Sequence, residues 1–156
     1  MEMKEVSTAK EKSTICKAIL NALPNWFGVP ESIVGYIDSV KGKPFYKVID
    51  EDKAVGFVSI KIHSPHTAEI HVMGILEKYH RKGIGRHLVQ TCEAYCRTHH
   101  IEFLTVKTLD ESNPDVHYQK TRLFYESMGF KALEVFPLFW DEQNPCLFLA
   151  KYIEIK

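Results

Sequence analysis

The chain has no long apolar run, no excess of charge of one sign and no cysteine framework. No hydrophobic stretch approaches the ~20 residues of a membrane-spanning helix. The 20 Lys and Arg residues balance 20 Asp and Glu residues, so we expect no broad basic face for nucleic acid or a membrane surface. The four cysteines lack disulfide-framework spacing, and Met1–Glu5 is too polar for a signal peptide. These absences predict a cytoplasmic protein with reduced thiols and no membrane or nucleic-acid partner.

The order of elements can be predicted from hydrophobic periodicity. A chain of 156 residues, 45% of them hydrophobic, is long enough for one domain over 1–156 with its own core. Strand-like and helix-like segments follow one another in the order β-α-α-β-β-β-α-β-α-β-β. This order predicts an α/β fold with a mixed, mostly antiparallel central sheet and helices on both faces. Near the C-terminus we expect strands at 131–137 and 146–153, flanking an aromatic loop at 139–144.

One short basic turn dominates the chain. It follows a predicted strand that ends near Leu76 and precedes a predicted helix at about 83–99. A helix N-terminus offers unpaired N–H groups and a partial positive charge, and glycines let the backbone approach an anion closely. Three cationic side chains add to this potential. We therefore predict a phosphate site at the residues His80, Arg81, Lys82, Gly83, Ile84, Gly85 and Arg86.

Two further features of the sequence have simple interpretations. Gly74, inside the strand before the turn, suggests a β-bulge or the close approach of another backbone. The eight histidines invite a metal site, but no paired-ligand spacing of the zinc-finger kind is present. We therefore predict no metal.

Two motifs, in this order and on these elements, resemble the GCN5-related N-acetyltransferase (GNAT) family over nearly the whole chain. The first is the Gly-x-Gly turn, which in that family binds the pyrophosphate of acetyl-coenzyme A; His80 stands where the family usually has Gln or Arg. The second is Leu123–Phe130, which carries the family's tyrosine at Tyr125. Thr121-Arg122 resembles a subset of small bacterial members.

The resemblance implies acetyl-coenzyme A as co-substrate. In the family the fourth strand pairs with the pantetheine arm, and a backbone N–H near Gly74–Leu76 faces the acetyl oxygen. Cofactor contacts are therefore expected along that strand, at the turn and in the later helix. They comprise Met73, Gly74, Ile75, the seven residues His80–Arg86, and Tyr118.

The resemblance also implies direct acetyl transfer to a primary amine of a small molecule, peptide or protein. Tyr125 is expected to act as general acid, since a phenol of pKa about 10 can protonate a thiolate of pKa about 8.5. The alternative is a core aromatic of an amphipathic helix. For the general base we favour Glu69; His71, two residues on, or no protein base at all are the alternatives.

Aromatic residues in two predicted loops suggest walls for the acceptor pocket. They lie at Trp26 and Phe27 and at Phe136, Phe139 and Trp140, with Asp141 or Glu142 available to hold a cationic amine; packing is the alternative for the tryptophans. We expect His71 to contact the acceptor as well. A non-catalytic acyl-coenzyme A sensor is the alternative function. Leu147–Leu149 is either a homodimer contact or an internal strand.

Overall fold

The computed structural model describes residues 1–155, and its elements follow the predicted order. That order is confirmed, with four α-helices and seven strands in the described residues. The elements are β1 (Glu2–Glu5), α1 (Ala9–Asn21), α2 (Pro30–Ser39), β2 (Phe45–Asp50), β3 (Lys53–Ser64), β4 (Thr67–Ile75), α3 (Ile84–Thr98), β5 (Phe103–Leu109), α4 (Val116–Ser127), β6 (Lys131–Asp141) and β7 (Asn144–Tyr152).

The backbone divides into two compact units. The first comprises Met1–Lys61 and Ile70–Cys92, and the second comprises Ile62–Glu69 and the chain from Glu93 onwards. The tip of the β3–β4 hairpin therefore belongs to the second unit. The expectation of a single domain over 1–156 stays a prediction.

The core of the first unit lies under α1. Thr8 caps this helix, because its Oγ1 accepts a hydrogen bond from the Glu11 N–H at 3.2 Å. One face of α1 then buries Ile19 and Leu20 against Phe57 of β3 and against Val72 of β4. Each such fully buried side chain stabilises the fold by roughly 1.5–3 kcal/mol.

The strands of the first unit follow the order β1-β2-β3-β4. β1 pairs with β2 and β2 with β3, both antiparallel. Glu51 and Asp52 form the β2–β3 turn with φ of 51° and 63°, the left-handed pair that matches the twist of a two-residue hairpin. Opposite faces of β3 carry different helices. Phe57 belongs to the core under α1, whereas a Cβ at the preceding Gly56 would lie 3.5 Å from Cγ2 of Ile84 at the start of α3.

Gly74 makes room for side chains rather than for another backbone. A Cβ at Gly74 would lie 3.0 Å from Cγ2 of Ile19 and 3.1 Å from Cε1 of Phe57. The expected close approach is present, but its partners are the side chains of α1 and β3. Gly74 therefore allows α1 to pack tightly against β4.

In the second unit the strand order is β5-β7-β6, and both pairs are antiparallel. The loop predicted at 139–144 is largely wrong, because β6 continues to Asp141 and only Glu142 and Gln143 form the turn. Asp141 Oδ1 accepts hydrogen bonds from the Gln143 N–H at 2.9 Å and from Asn144 Nδ2 at 2.8 Å. These bonds stabilise a short turn. The aromatic residues of the segment had instead suggested a longer loop.

Helix α4 has a defined cap at each end. Asp115 Oδ1 accepts hydrogen bonds from the N–H groups of His117 and Tyr118 at 2.8 and 3.1 Å. Gly129, with φ of 94°, follows the last turn and ends the helix. Lys151 Nζ donates to the Met128 carbonyl oxygen at 2.6 Å, which satisfies one of the terminal carbonyls.

All four cysteines are buried free thiols. Burial raises the pKa of Cys16 to about 12, and it raises the pKa of Cys96 and of Cys146 to about 11. In residues 1–155 no helix has the length and apolar character needed to cross a membrane. The same residues contain no group of three or more His, Cys, Asp or Glu side chains arranged to hold a metal ion.

Candidate active site

The basic turn adopts the geometry of an anion site. Arg81 and Gly83 both have positive φ, at 61° and 81°. Helix α3 begins at Ile84, and the Gly83 carbonyl accepts the first helical hydrogen bond from the His87 N–H at 3.1 Å. The N–H groups of the first turn have no partner within the helix. Left-handed residues in such a turn direct successive N–H groups into one concavity.

Arg81 holds this shape at a cost. A left-handed conformation costs a non-glycine residue about 1–2 kcal/mol. Such residues persist where the surrounding structure holds them, and they cluster at ligand sites. The strain at Arg81 therefore supports a binding function for the turn.

The space beside the turn suits a bulky anion. A Cβ at Gly83 would meet no heavy atom within 4 Å, and the first turn of α3 has no acidic residue. The turn thus combines open space, backbone donors and cationic side chains, and its residues fit a pyrophosphate group.

The His80 side chain contacts two other residues of the chain, Ile75 and Trp26. Its Nε2 lies 2.6 Å from the carbonyl oxygen of Ile75; because a carbonyl only accepts, Nε2 carries the proton. The ring also packs edge-on against Trp26, with centroids 5.2 Å apart. The predicted cofactor contact at His80 stays a prediction, and Nε2 has a partner within the chain.

Tyr79 is a residue of the turn region that the sequence did not single out. The Nζ atoms of Lys78 and Lys82 lie 5.3 and 5.7 Å from the centre of its ring. Its hydroxyl donates to Asp50 Oδ2 at 2.8 Å, and chiefly this bond raises the pKa of Tyr79. The only feature of the sequence that could have indicated this role is the position of Tyr79 between two basic residues. Tyr79 ties the turn to the β2–β3 hairpin.

A hydrogen bond at the end of β4 limits which backbone N–H group could face the acetyl oxygen. The Leu76 N–H donates to the Val55 carbonyl oxygen at 2.9 Å. Of the three residues Gly74–Leu76, the last therefore has its N–H already engaged. The predicted N–H donor to an acetyl oxygen in this stretch otherwise stays a prediction.

His71 is held against α2. Ser39 Oγ donates to the Tyr36 carbonyl oxygen at 3.1 Å and lies 2.7 Å from His71 Nε2. Since a hydroxyl has one proton, Nε2 is the donor in the second bond. The His71 ring packs edge-on against Tyr36 with centroids 5.5 Å apart, and Phe27 packs edge-on against Tyr36 with centroids 6.0 Å apart. Trp26 and Phe27 are partly buried on the core of the first unit.

In the second unit, Glu69 is buried in a charged cluster. Only 6% of the residue is exposed. Its Oε1 accepts hydrogen bonds from His63 Nε2 at 2.6 Å and from Lys107 Nζ at 2.9 Å. Neither partner was predicted, because His63 and Lys107 lie on β3 and β5 and no local pattern relates them to Glu69.

Tyr125 is buried on α4 among aromatic rings. Phe124 and Phe130 pack edge-on against it, with centroids 5.3 and 5.6 Å away. This packing agrees with the core-aromatic alternative and leaves the predicted acid role a prediction. Tyr118 is half-buried in the first turn of the same helix.

Trp140 and Asp141 lie at the end of β6. The Trp140 ring packs against Phe139, with centroids 6.1 Å apart. Both oxygens of Asp141 accept hydrogen bonds within the β6–β7 turn. Asp141 is thus engaged in closing the turn, and its predicted contact with an amine stays a prediction.

Comparison with known proteins identifies the family of the chain. The model of the acetyltransferase (GNAT) family matches residues 15–130, which include the turn, Glu69 and Tyr125. The chain belongs to the GNAT acetyltransferase family. The family predicted from the two motifs is confirmed.

Curated relatives of this GNAT protein match part of its length. An uncharacterized N-acetyltransferase of Chlorobaculum tepidum is 27% identical over 104 residues, which are 67% of this chain and 57% of the relative. The mycothiol acetyltransferase of Corynebacterium glutamicum is 31% identical over 85 residues, 54% of this chain and 27% of the relative. The match therefore spans less than two thirds of either relative.

Solved structures share the fold of the whole chain. A GNAT-family protein from Desulfovibrio desulfuricans superposes with a TM-score of 0.83 at 15% identity, covering 98% of this chain and 99% of the other. An aminoglycoside 6′-N-acetyltransferase complexed with coenzyme A superposes with a TM-score of 0.75 at 18% identity, covering 100% and 99%. The predicted α/β fold is therefore confirmed.

Proposed function

We propose that this GNAT protein transfers an acetyl group from acetyl-coenzyme A to a primary amine, by direct attack while both substrates are bound. The observation that carries the proposal is the turn itself, where Arg81 and Gly83 have left-handed backbones at the N-terminus of α3. A relative with the same fold was solved with coenzyme A, which supports this choice of ligand.

The turn would hold the pyrophosphate of the co-substrate. The N–H groups from Gly83 to Arg86 supply hydrogen bonds, and Arg81, Lys82 and Arg86 supply charge. The backbone of Met73–Ile75 is proposed to hold the pantetheine arm, with Tyr118 as a further contact. The bound co-substrate supplies an activated acetyl thioester.

Two side chains are proposed to move protons. As the N–C bond forms and the C–S bond breaks, Glu69 accepts the proton that the amine loses, directly or through one water. Tyr125 donates its phenolic proton to the departing thiolate sulfur, so that the thiol leaves neutral. Glu69 then releases its proton to solvent water, and the Tyr125 phenolate takes up a proton from solvent, so that both side chains return to their starting states.

The acceptor is proposed at the level of a primary amine of a small molecule, peptide or protein. The relatives are named for different acceptors: one is a mycothiol acetyltransferase and another is an aminoglycoside 6′-N-acetyltransferase. Residues proposed to contact the acceptor are Trp26, Phe27, His71, Trp140 and Asp141. A cytoplasmic location is part of the same proposal, since the four buried free thiols suit a reducing compartment.

Thermal denaturation with and without acetyl-coenzyme A tests the binding step. A ligand at about 100 times its Kd adds about 2.7 kcal/mol to the free energy of unfolding, which for a chain of this size raises Tm by roughly 5–10 °C. Release of free thiol is then followed with polyamines, aminoglycosides, amino acids and peptides as acceptors. An unchanged Tm at large excess of acetyl-coenzyme A contradicts the proposal.

A further inference from the structure

The carboxylate of Glu69 is held through one of its two oxygens. His63 Nε2 and Lys107 Nζ both donate to Oε1. Within residues 1–155, no hydrogen bond to Oε2 is present. The arrangement fixes the orientation of the carboxylate and keeps one oxygen available as an acceptor.

Lys107 is itself fixed by its surroundings. Its side chain is only 19% exposed, and its Nζ lies 5.2 Å from the ring centre of Phe139 and 5.9 Å from that of Phe148. Ammonium groups are attracted to aromatic faces, most strongly where water is excluded. The ammonium is thus held between two rings and the carboxylate, which limits the positions that Glu69 can take.

The charge of the cluster also depends on Lys107. Glu69 is paired with the Lys107 ammonium on β5 and the His63 imidazole on β3, and it interacts electrostatically with the Cys146 thiol on β7. Cys146 stays neutral, because burial raises its pKa to about 11. Lys107 is therefore the permanent positive charge that balances this buried carboxylate.

We infer that Lys107 is a positioning residue for Glu69: it binds Oε1 so that Oε2 receives the proton of the acceptor amine. This inference rests on the proposed function and deepens it, since it assigns the two oxygens of the base different tasks. Displacement of a reacting group by about 1 Å can cost on the order of 100-fold in rate. Loss of the ammonium should therefore lower kcat without changing the binding of acetyl-coenzyme A.

The test is a double-mutant cycle on Lys107 and Glu69 in the full chain. Lys107→Met keeps an unbranched apolar side chain against the two rings and removes the charge. We expect it to lower kcat at least about tenfold with an unchanged Kd for acetyl-coenzyme A, and Lys107→Arg to restore part of the loss. In a Glu69→Gln background, Lys107→Met should change kcat less than about twofold, because its partner is already gone.

Lys151 provides a matched control. Its Nζ donates to Glu93 Oε2 at 2.9 Å, and the exposure of this lysine and glutamate, 24% and 9%, is close to that of Lys107 and Glu69. Lys151→Met shows what the loss of such a pair, together with the bond to the Met128 carbonyl, does to Tm. The fold-change in kcat caused by Lys151→Met should be the same whether position 69 holds Glu or Gln.

The outcomes separate this inference from the function on which it rests. An equal fold-loss from Lys107→Met in both backgrounds overturns the positioning role while acetyl transfer stands. An active Glu69→Gln variant with wild-type kcat also overturns it and removes Glu69 as base. Absence of both acetyl transfer and an acetyl-coenzyme A-dependent rise in Tm in the wild type overturns the proposed function and this inference together.

Discussion

The His80 imidazole donates a hydrogen bond through Nε2 to the carbonyl oxygen of Ile75, at 2.6 Å. This bond joins the first residue of the phosphate turn to the last residue of β4. The turn and the strand are the two segments proposed to hold different parts of acetyl-coenzyme A. His80 therefore links the two segments, whereas the residues inside the turn are proposed to contact the pyrophosphate alone.

Replacing His80 by alanine should weaken the binding of acetyl-coenzyme A and of S-acetyl-pantetheine by similar factors. Loss of one hydrogen bond is worth about 1 kcal/mol, or roughly fivefold in Kd. S-acetyl-pantetheine lacks the pyrophosphate, so a side chain that bound the phosphate would affect only the complete molecule. Titration calorimetry with both ligands distinguishes the two. A loss confined to acetyl-coenzyme A would mean that His80 contacts the phosphate directly.

Replacing Gly83 by valine should raise the Kd for acetyl-coenzyme A by at least about tenfold. A side chain at φ of 81° is strained by about 1–2 kcal/mol, and it enters the open space proposed for the pyrophosphate. Gly35→Ala is the control, since a Cβ there also meets no heavy atom within 4 Å but lies inside α2. That variant should be slightly more stable and bind normally. Equal affinities in all three proteins would refute the anion site.

Tyr125→Phe should lower kcat by at least about 100-fold, because general acid catalysis contributes on the order of 100- to 10,000-fold. The ring contacts with Phe124 and Phe130 are retained, so Tm and the Kd for acetyl-coenzyme A should change little. Tyr152→Phe is the control, as this tyrosine is 62% exposed on β7. Turnover that is unaffected by Tyr125→Phe would leave the residue with a packing role only.

The stability of the protein should depend on the ionisation of Asp110 in acid. Burial tends to raise the pKa of this carboxyl, but hydrogen bonds from Ser112 and from the backbone of Glu111, with the charge of Arg122, outweigh it and lower the pKa below its usual 3.8. The stabilisation is then complete above the unfolded-state pKa and is lost as the pH falls through the folded-state pKa.

Asp110→Asn should therefore lower Tm near neutral pH, and the difference from wild type should shrink below pH 3.8. Calorimetric Tm values measured from about pH 6 to about pH 3 check this. A difference that is constant over the range, or that grows in acid, would contradict the assignment.

The sequence predicted those parts of the fold that depend on local chemistry. The turn before α3 involves residues a few positions apart, whose conformations follow from their own side chains or from the lack of one. The family was recognisable for the same reason, because its two motifs are contiguous.

What escaped prediction depends on residues far apart in the chain. Lys107 meets Glu69 across 38 positions, and strand pairing decides that contact. The segment 139–144 was predicted as a loop because its aromatic and polar residues resemble a connection, whereas two turn residues suffice once Asp141 caps them. The orientation of the His80 side chain could not be predicted either, because a sequence motif determines the backbone conformation of a turn better than the side-chain rotamers around it.

The burial of all four cysteines has a consequence for the proposed acetyl transfer, which would release a thiol in every catalytic cycle. Free coenzyme A oxidises readily to disulfides, and such disulfides react with exposed thiolates by exchange. Thiols that are buried and rarely ionised are poor partners for this exchange. The cysteines of the chain should therefore form few mixed disulfides with the proposed product. A colorimetric reagent for released thiol should accordingly detect the product with little background from the protein.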